Sequence, residues 1–403
     1  MASLAISLGA LSTMYCIGHG TSPRPSIEGR IYMLEAQQHG PTSLADASKS
    51  MGNLAQQLPK ILDGRELVLI GDSVSAELFE QLSDSVASSF NQSASNRPLF
   101  ARSPSYHNRC NIWKAHGLKL CFVSTARKNP YDPRPAGTLR VNRSSIDGKV
   151  QPNACKLPHF EEYSLGDTME CLLGMNAIAR TSIVVINVGL HHNEESSLRA
   201  QVGGFTSWLR SARAAPKPLP CLMWLQSLPQ HFPTPDGTYR KSWLFDEQCA
   251  ASNAHSRANL STFLTGDGRG CVPLSLDQLG NSRQRFNDVT DAIVSEVKLP
   301  IVESWRVVVD HSQDHPGCVC VPKLWRSESS TSDSRSRGEC GLGGFAATKR
   351  RVLDCSHYKR WESSSAGRQQ RPLAEARISP AYAKVLFAIV SAAQHHCAIT
   401  ETS

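Results

Sequence analysis

The sequence predicts an α/β fold: a parallel β-sheet with helices on both faces, three layers in all, carrying long irregular loops. Three observations lead there. Short, wholly apolar runs rich in β-branched residues, LVLI at 67–70 and SIVVINV at 182–188, read as strands buried on both faces, as a parallel sheet requires. Helical patterns alternate with such strands along the chain. The chain of 403 residues, 40% of them hydrophobic, is long enough to bury a sizeable core.

Taken in order, Gly64 and Gly71 bracket the first strand. Val74, Leu78, Phe79 and Leu82 then recur at helical spacing, so the chain reads strand, tight turn, helix, with Gly71-Asp72-Ser73 in the turn. LKLCFV (118–123) is a second strand and SIVVINV, ending before Gly189, a third. SLRAQVGGFTSWLRSA (197–212) has the pattern of an amphipathic helix, and CLMWLQS (221–227) that of a strand. A helix over 283–297 leads to a strand in PIVESW (300–305). Ser379 and Pro380 start a closing helix with a strong apolar face. Residues 326–348 and 362–372 are of low complexity and read as exposed loops.

The organisation reads as a signal peptide or weak anchor at 1–20, a flexible stem at 21–62 and a folded domain at 63–400. Residues 2–18 are small and apolar but lack the basic residues of a strong signal, and they fall short of a membrane span of roughly 20 residues. The stem is rich in Ser, Pro, Gly and Gln, with one weak helical stretch at 43–58. Of the 13 cysteines, Cys16 lies in the leader, and the remaining twelve run from Cys110 to Cys397. An even, scattered set suits disulfides in an oxidising compartment; the alternative is free buried thiols in a cytosolic enzyme. Sequons for N-glycosylation stand at Asn91, Asn142 and Asn259. The formal charge is +8, but the basic residues are scattered and no basic stripe is interleaved with aromatics. No nucleic-acid partner is expected.

Three segments carry candidate chemistry. Ser73 sits between a buried strand and a helix start, where the turn lifts its side chain to the carboxyl end of the sheet and free helix N–H groups stand ready for an oxyanion. A bare N-cap serine would occupy the same place. In Asp354-Cys355-Ser356-His357 a carboxylate and an imidazole three residues apart on a turn can face one way, the carboxylate orienting the ring as a general base. In Asn187-Val188-Gly189-Leu190-His191-His192 the asparagine ends the third strand and can donate into an oxyanion hole. A further cluster, Asp310, His311, Asp314 and His315, has metal-ligand chemistry, but no complete ligand set is legible and no metal or cofactor is expected.

Together, LVLIGDSVSAELFEQL, VVINVGLHHN and VLDCSHYKRW, in that order, resemble the SGNH/GDSL superfamily, and within it the PC-esterase group that includes the plant trichome-birefringence-like polysaccharide O-acetyltransferases. Pro229, Gln230, His231 and Phe232 match that group's P-x-H-F segment. The resemblance covers residues 64–395 as islands. It implies an SGNH-type sandwich with Ser73 as nucleophile, His357 as general base and Asp354 as its orienter. It implies an oxyanion hole from Asn187 and the Ser73 N–H. Asp72, Gly189, His191, His192 and His231 are candidates for substrate contact, with shaping of the turn the favoured role for Asp72 and structural roles the alternative for His191 and His192. The chain departs from the group where Tyr358, Lys359 and Arg360 follow DCSH in place of Trp-Cys, where Leu228 precedes P-x-H-F in place of Ser, and where Leu190 intervenes before His191. The implied activity is carbohydrate O-acetyl transfer from an acyl donor in the Golgi lumen or outside the cell, with acetylesterase next. A non-catalytic carbohydrate-binding member of the fold is the reading of another class. Membrane attachment is expected through the N-terminus only.

Overall fold

The computed structural model describes residues 44–98, 108–125, 165–189, 195–235, 237, 271–274, 284–315, 317–322, 349–356, 358 and 379–398. Helix α1 (Leu44–Leu62) leads into strand β1 (Leu67–Gly71) and helix α2 (Ser73–Phe90). Strands β2 (Ser95–Pro98), β3 (Asn108–Trp113) and β4 (Leu118–Ser124) follow, then α3 (Leu165–Gly174), β5 (Ile183–Ile186), α4 (Glu195–Ala214) and β6 (Cys221–Leu225). The chain continues through α5 (Gln284–Ser295), β7 (Ile301–Val302), α6 (Ser304–Val308), β8 (Gly317–Pro322), β9 (Lys349–Asp354) and α7 (Pro380–Ala398).

Seven strands form one open sheet in the order β2-β3-β4-β1-β5-β6-β7. From β4 to β7 every neighbouring pair is parallel, while β2 and β3 add an antiparallel edge. The parallel α/β arrangement expected from the apolar runs is therefore present. Numbered among themselves, the five parallel strands run 2-1-3-4-5, the doubly wound order in which the chain reverses direction beside the first strand. Strands β8 and β9 make a separate antiparallel pair.

The alternation of strand side chains makes two cores. Leu67, Leu69, Leu120, Phe122, Ile183, Val185, Met223 and Leu225 face α1, α2 and α7, where Met51, Leu58, Leu78, Leu82, Leu386 and Ile389 cover them. Val68, Ile70, Val123, Val184, Ile186, Leu222 and Trp224 face the other way, onto Met169 and Leu172 of α3, Phe205 and Leu209 of α4, and Val294 of α5.

One boundary differs from the expectation. The second half of the supposed stem is α1, a core helix: Ala47, Met51, Leu54, Ala55, Leu58 and Leu62 form a buried stripe at helical spacing against α2 and α7. Lys49, Gln56, Gln57 and Lys60 are exposed on its outer side and lower the average hydropathy, which is why the segment reads as a linker. The antiparallel edge and the β8–β9 pair are also additions, made by strands that are short or mixed in polarity.

Three disulfides join described residues. Cys110–Cys121 crosses directly opposed positions of β3 and β4, Cys221–Cys397 ties the start of β6 to the end of α7, and Cys271–Cys355 holds the segment after β9. They suit an oxidising compartment. No helix among the described residues is long and apolar enough to cross a membrane. The segment 1–20, the loops 326–348 and 362–372, and the sequons at Asn142 and Asn259 lie outside the described residues. Asn91 is exposed and caps the C-terminus of α2 in the left-handed conformation.

Candidate functional site

The site is built first by the turn after β1. Asp72 is the N-cap of α2: its backbone is extended and its Oδ1 accepts from the Val74 N–H at 3.0 Å. Its side chain is buried, and Asp72 shapes the turn as the cap of α2. Ser73, the first residue of α2, is half-buried at the helix N-terminus, where backbone N–H groups and the helix dipole favour negative charge. The turn depends on Gly71, since a Cβ there would stand 2.1 Å from Ser75 Oγ and 2.6 Å from the Asn187 carbonyl oxygen. The Asn187 N–H donates to the Ile70 carbonyl at 2.8 Å, so the carboxyl ends of β1 and β5 lie side by side at the switch point of the sheet. Open α/β sheets bind ligands at that point.

On the β5–β6 side, a polar lattice locks the same edge. The Asn187 amide nitrogen donates to the Leu225 carbonyl at 3.0 Å and the Gln226 carbonyl at 3.1 Å. The amide, expected as an oxyanion-hole donor, is thus engaged by the backbone at the end of β6 and fastens the sheet edge. Gly189 has φ 141°, and a Cβ there would lie 2.3 Å from Ser227 Oγ, which donates to the Val188 carbonyl at 3.1 Å. Asn287 of α5 clamps Ser227 from above, accepting from its N–H at 2.8 Å and donating to its carbonyl at 3.0 Å. Ser304 Oγ adds a bond to the Gln226 carbonyl at 2.9 Å. Sequence reasoning missed Ser227, Asn287 and Ser304. Their signal was a polar residue at a position the apolar period would have filled. His191 and His192 lie outside the described residues.

The third part is the segment after β9. Asp354 Oδ1 accepts from the Ser356 N–H at 3.1 Å, making a tight turn of its own. That turn is fastened to Pro229–Phe232: His231 N–H donates to the Cys355 carbonyl at 3.0 Å, Gln230 Nε2 to Ser356 Oγ at 2.6 Å, and the Tyr358 hydroxyl to the Pro229 carbonyl at 3.0 Å. The structure thus brings two of the sequence islands together. His357 lies outside the described residues.

His231, a candidate for substrate contact, is buried and ties two segments together. Its ring is fully enclosed, with Nε2 donating to the Val309 carbonyl at 2.8 Å and Nδ1 therefore accepting from His315 Nε2 at 2.6 Å. Burial, aided by the charge of His311, lowers its pKa to about 4 against the pull of the Val309 carbonyl and Asp310, so the ring is neutral at neutral pH. His311 and Asp314 are likewise engaged. His311 Nδ1 meets Asp314 Oδ2 at 2.8 Å, the same oxygen accepts from the Ala381 N–H at the start of α7, and Lys384 Nζ meets His311 Nε2 at 2.8 Å. This cluster seats α7 on the body. Among the described residues no three His, Cys, Asp or Glu side chains group as metal ligands.

Asp291, one turn along α5 from Asn287, receives the Gln226 side-chain N–H at 2.6 Å. Burial pushes its carboxyl up to about 7; Gln226 and Arg306 oppose the rise, and Glu303 and Asp288 add to it. A folded-state pKa above the unfolded one means that stability from this group is full at low pH and is lost as pH rises through the folded value. Asp291→Asn is therefore expected to raise the unfolding free energy at pH 8 and to leave it nearly unchanged at pH 4. Urea titrations at both values check this, and equal shifts at the two would refute it.

Fold and site together define a doubly wound α/β protein with a half-buried serine at the switch point of its sheet. No known protein-family model and no curated protein matches the chain.

Proposed function

We propose that the chain is an SGNH-type acyltransferase that moves an acetyl group onto a carbohydrate hydroxyl through an acyl-serine at Ser73. The observation that carries the reading is the placement of Ser73, at the first turn of α2 and the carboxyl end of β1, beside β5 at the point where the strand order reverses. The joining of the Pro229–Phe232 segment to the Asp354 turn adds support, because the two are separate islands of the resemblance.

In the proposed step Ser73 Oγ attacks the acetyl carbonyl carbon while His357 takes its proton, with Asp354 orienting the imidazole. The Ser73 N–H at the helix terminus faces the developing oxyanion. The donor's alcohol leaves with the proton from His357; a sugar hydroxyl then attacks the acyl-serine as His357 takes its proton and passes it to Ser73 Oγ, which leaves as the restored hydroxyl. With water in place of the sugar, the same machinery is an acetylesterase. The three disulfides are compatible with an oxidising compartment, and on this reading the enzyme works in the Golgi lumen or outside the cell.

The test is covalent capture. A fluorophosphonate is expected to add to one serine, and mass mapping to find it on Ser73. Acetyl transfer from p-nitrophenyl acetate to an oligosaccharide, rather than acetate release, selects the transferase. A folded protein that takes no label leaves the carbohydrate-binding module as the better reading.

A further inference from the structure

Helix α2 buries a polar stripe. Ser73, Glu77 and Gln81 recur at every fourth position, so they share one face, and Glu77 and Gln81 are 8% and 5% exposed. That face meets the start of α7. Gln81 Oε1 accepts from the Ser379 N–H at 3.2 Å, and Glu77 Oε2 accepts from the Tyr382 hydroxyl. The same hydroxyl accepts from the Tyr358 N–H at 3.2 Å.

Tyr358 is the residue after His357 and is itself fully buried. Its ring lies 4.1 Å from that of His315 and edge-on to that of Tyr382 at 5.5 Å. Two hydrogen bonds in series thus run from Glu77, one helical turn beyond Ser73, through the phenol to the backbone of the turn that begins at Asp354. The phenol stays protonated, because burial and then Glu77 hold its pKa well above the ordinary range, with Asp354 adding to the rise. It can therefore donate to the carboxylate and accept from the amide at once. A carboxylate and a phenol cost more to bury than two apolar side chains of the same volume, so packing alone does not account for them.

We infer that Tyr382, seated on Glu77, is the positioning residue that sets Tyr358, and with it the turn that begins at Asp354, against the first turns of α2. The inference rests on the acyl-serine reading for its catalytic consequence, and on the hydrogen bonds alone for its geometry. A misplacement of about 1 Å between catalytic groups costs on the order of a hundredfold in rate.

The test is Tyr382→Phe in the full chain, which keeps the ring and removes the hydroxyl. Turnover of p-nitrophenyl acetate is expected to fall about 10- to 100-fold in kcat with KM unchanged, and the Tyr358 amide to lose hydrogen-exchange protection. Glu77→Gln keeps an acceptor for the phenol and is expected to lose about threefold or less, while Glu77→Ala repeats the loss seen in Tyr382→Phe. Unchanged kcat together with unchanged Tyr358 protection in Tyr382→Phe overturns the inference. If the wild type takes no label at Ser73, the acyl-serine reading falls by itself. The exchange experiment then decides alone: lost protection upholds the anchoring role, and retained protection removes it.

Discussion

A chain lacking residues 44–62 is expected not to fold. Helix α1 lays Met51, Leu54, Leu58 and Leu62 on the core with at most 4% of each exposed, and it is the neighbour of both α2 and α7. Removing it uncovers a continuous apolar face on those two helices. Burial of each large side chain contributes roughly 1.5–3 kcal/mol, and the whole domain has only about 5–15 kcal/mol to lose. Single truncations give the graded version: Met51→Ala and Leu58→Ala are each expected to cost about 2–5 kcal/mol in denaturant titrations. A deletion variant that is soluble and melts cooperatively near the wild-type temperature would return this segment to the status of a stem.

Ser73→Ala is expected to remove acetyl-ester turnover by at least about a thousandfold while leaving the fold intact. The asymmetry follows from the division of labour in the turn. The nucleophile's hydroxyl has no substitute in an acyl-serine mechanism, whereas the helix start is held by Asp72 Oδ1 on the Val74 N–H and by the Ala76 N–H on the Asp72 carbonyl at 3.1 Å. Alanine at the first helical position keeps those bonds. The measurement is kcat/KM on p-nitrophenyl acetate alongside a thermal melt of the same preparation. Wild-type turnover in the variant would remove the acyl-serine reading, since no other residue is proposed as nucleophile.

Legibility along the chain followed the range of the interaction involved. The β1–turn–α2 unit could be read because its signals are local: a run of apolar residues, a glycine, an N-cap and a helical period within twenty-odd positions. The parallel strands β4, β5 and β6 could be read for the same reason, being apolar on both faces. Helix α1 read only as a weak helical stretch in a linker, because an apolar stripe diluted by polar residues becomes a core element only when α2 and α7 are there to cover it. The site residues divide likewise. Ser73 stood out from its immediate neighbours. The engagement of the Asn187 amide by carbonyls 38 and 39 residues away, and the burial of His231 against His315, 84 residues on, depend on contacts that no local pattern records.

The sequence by itself determined that this is an α/β chain with a parallel sheet and a Gly-Asp-Ser turn at the end of its first strand, because side-chain period and backbone-permissive residues act over a few positions. Only the tertiary structure decided the rest. The switch point between β1 and β5, the fastening of the Asp354 turn to Pro229–Phe232, and the Glu77–Tyr382–Tyr358 chain each join groups that become neighbours only when distant strands and helices pack.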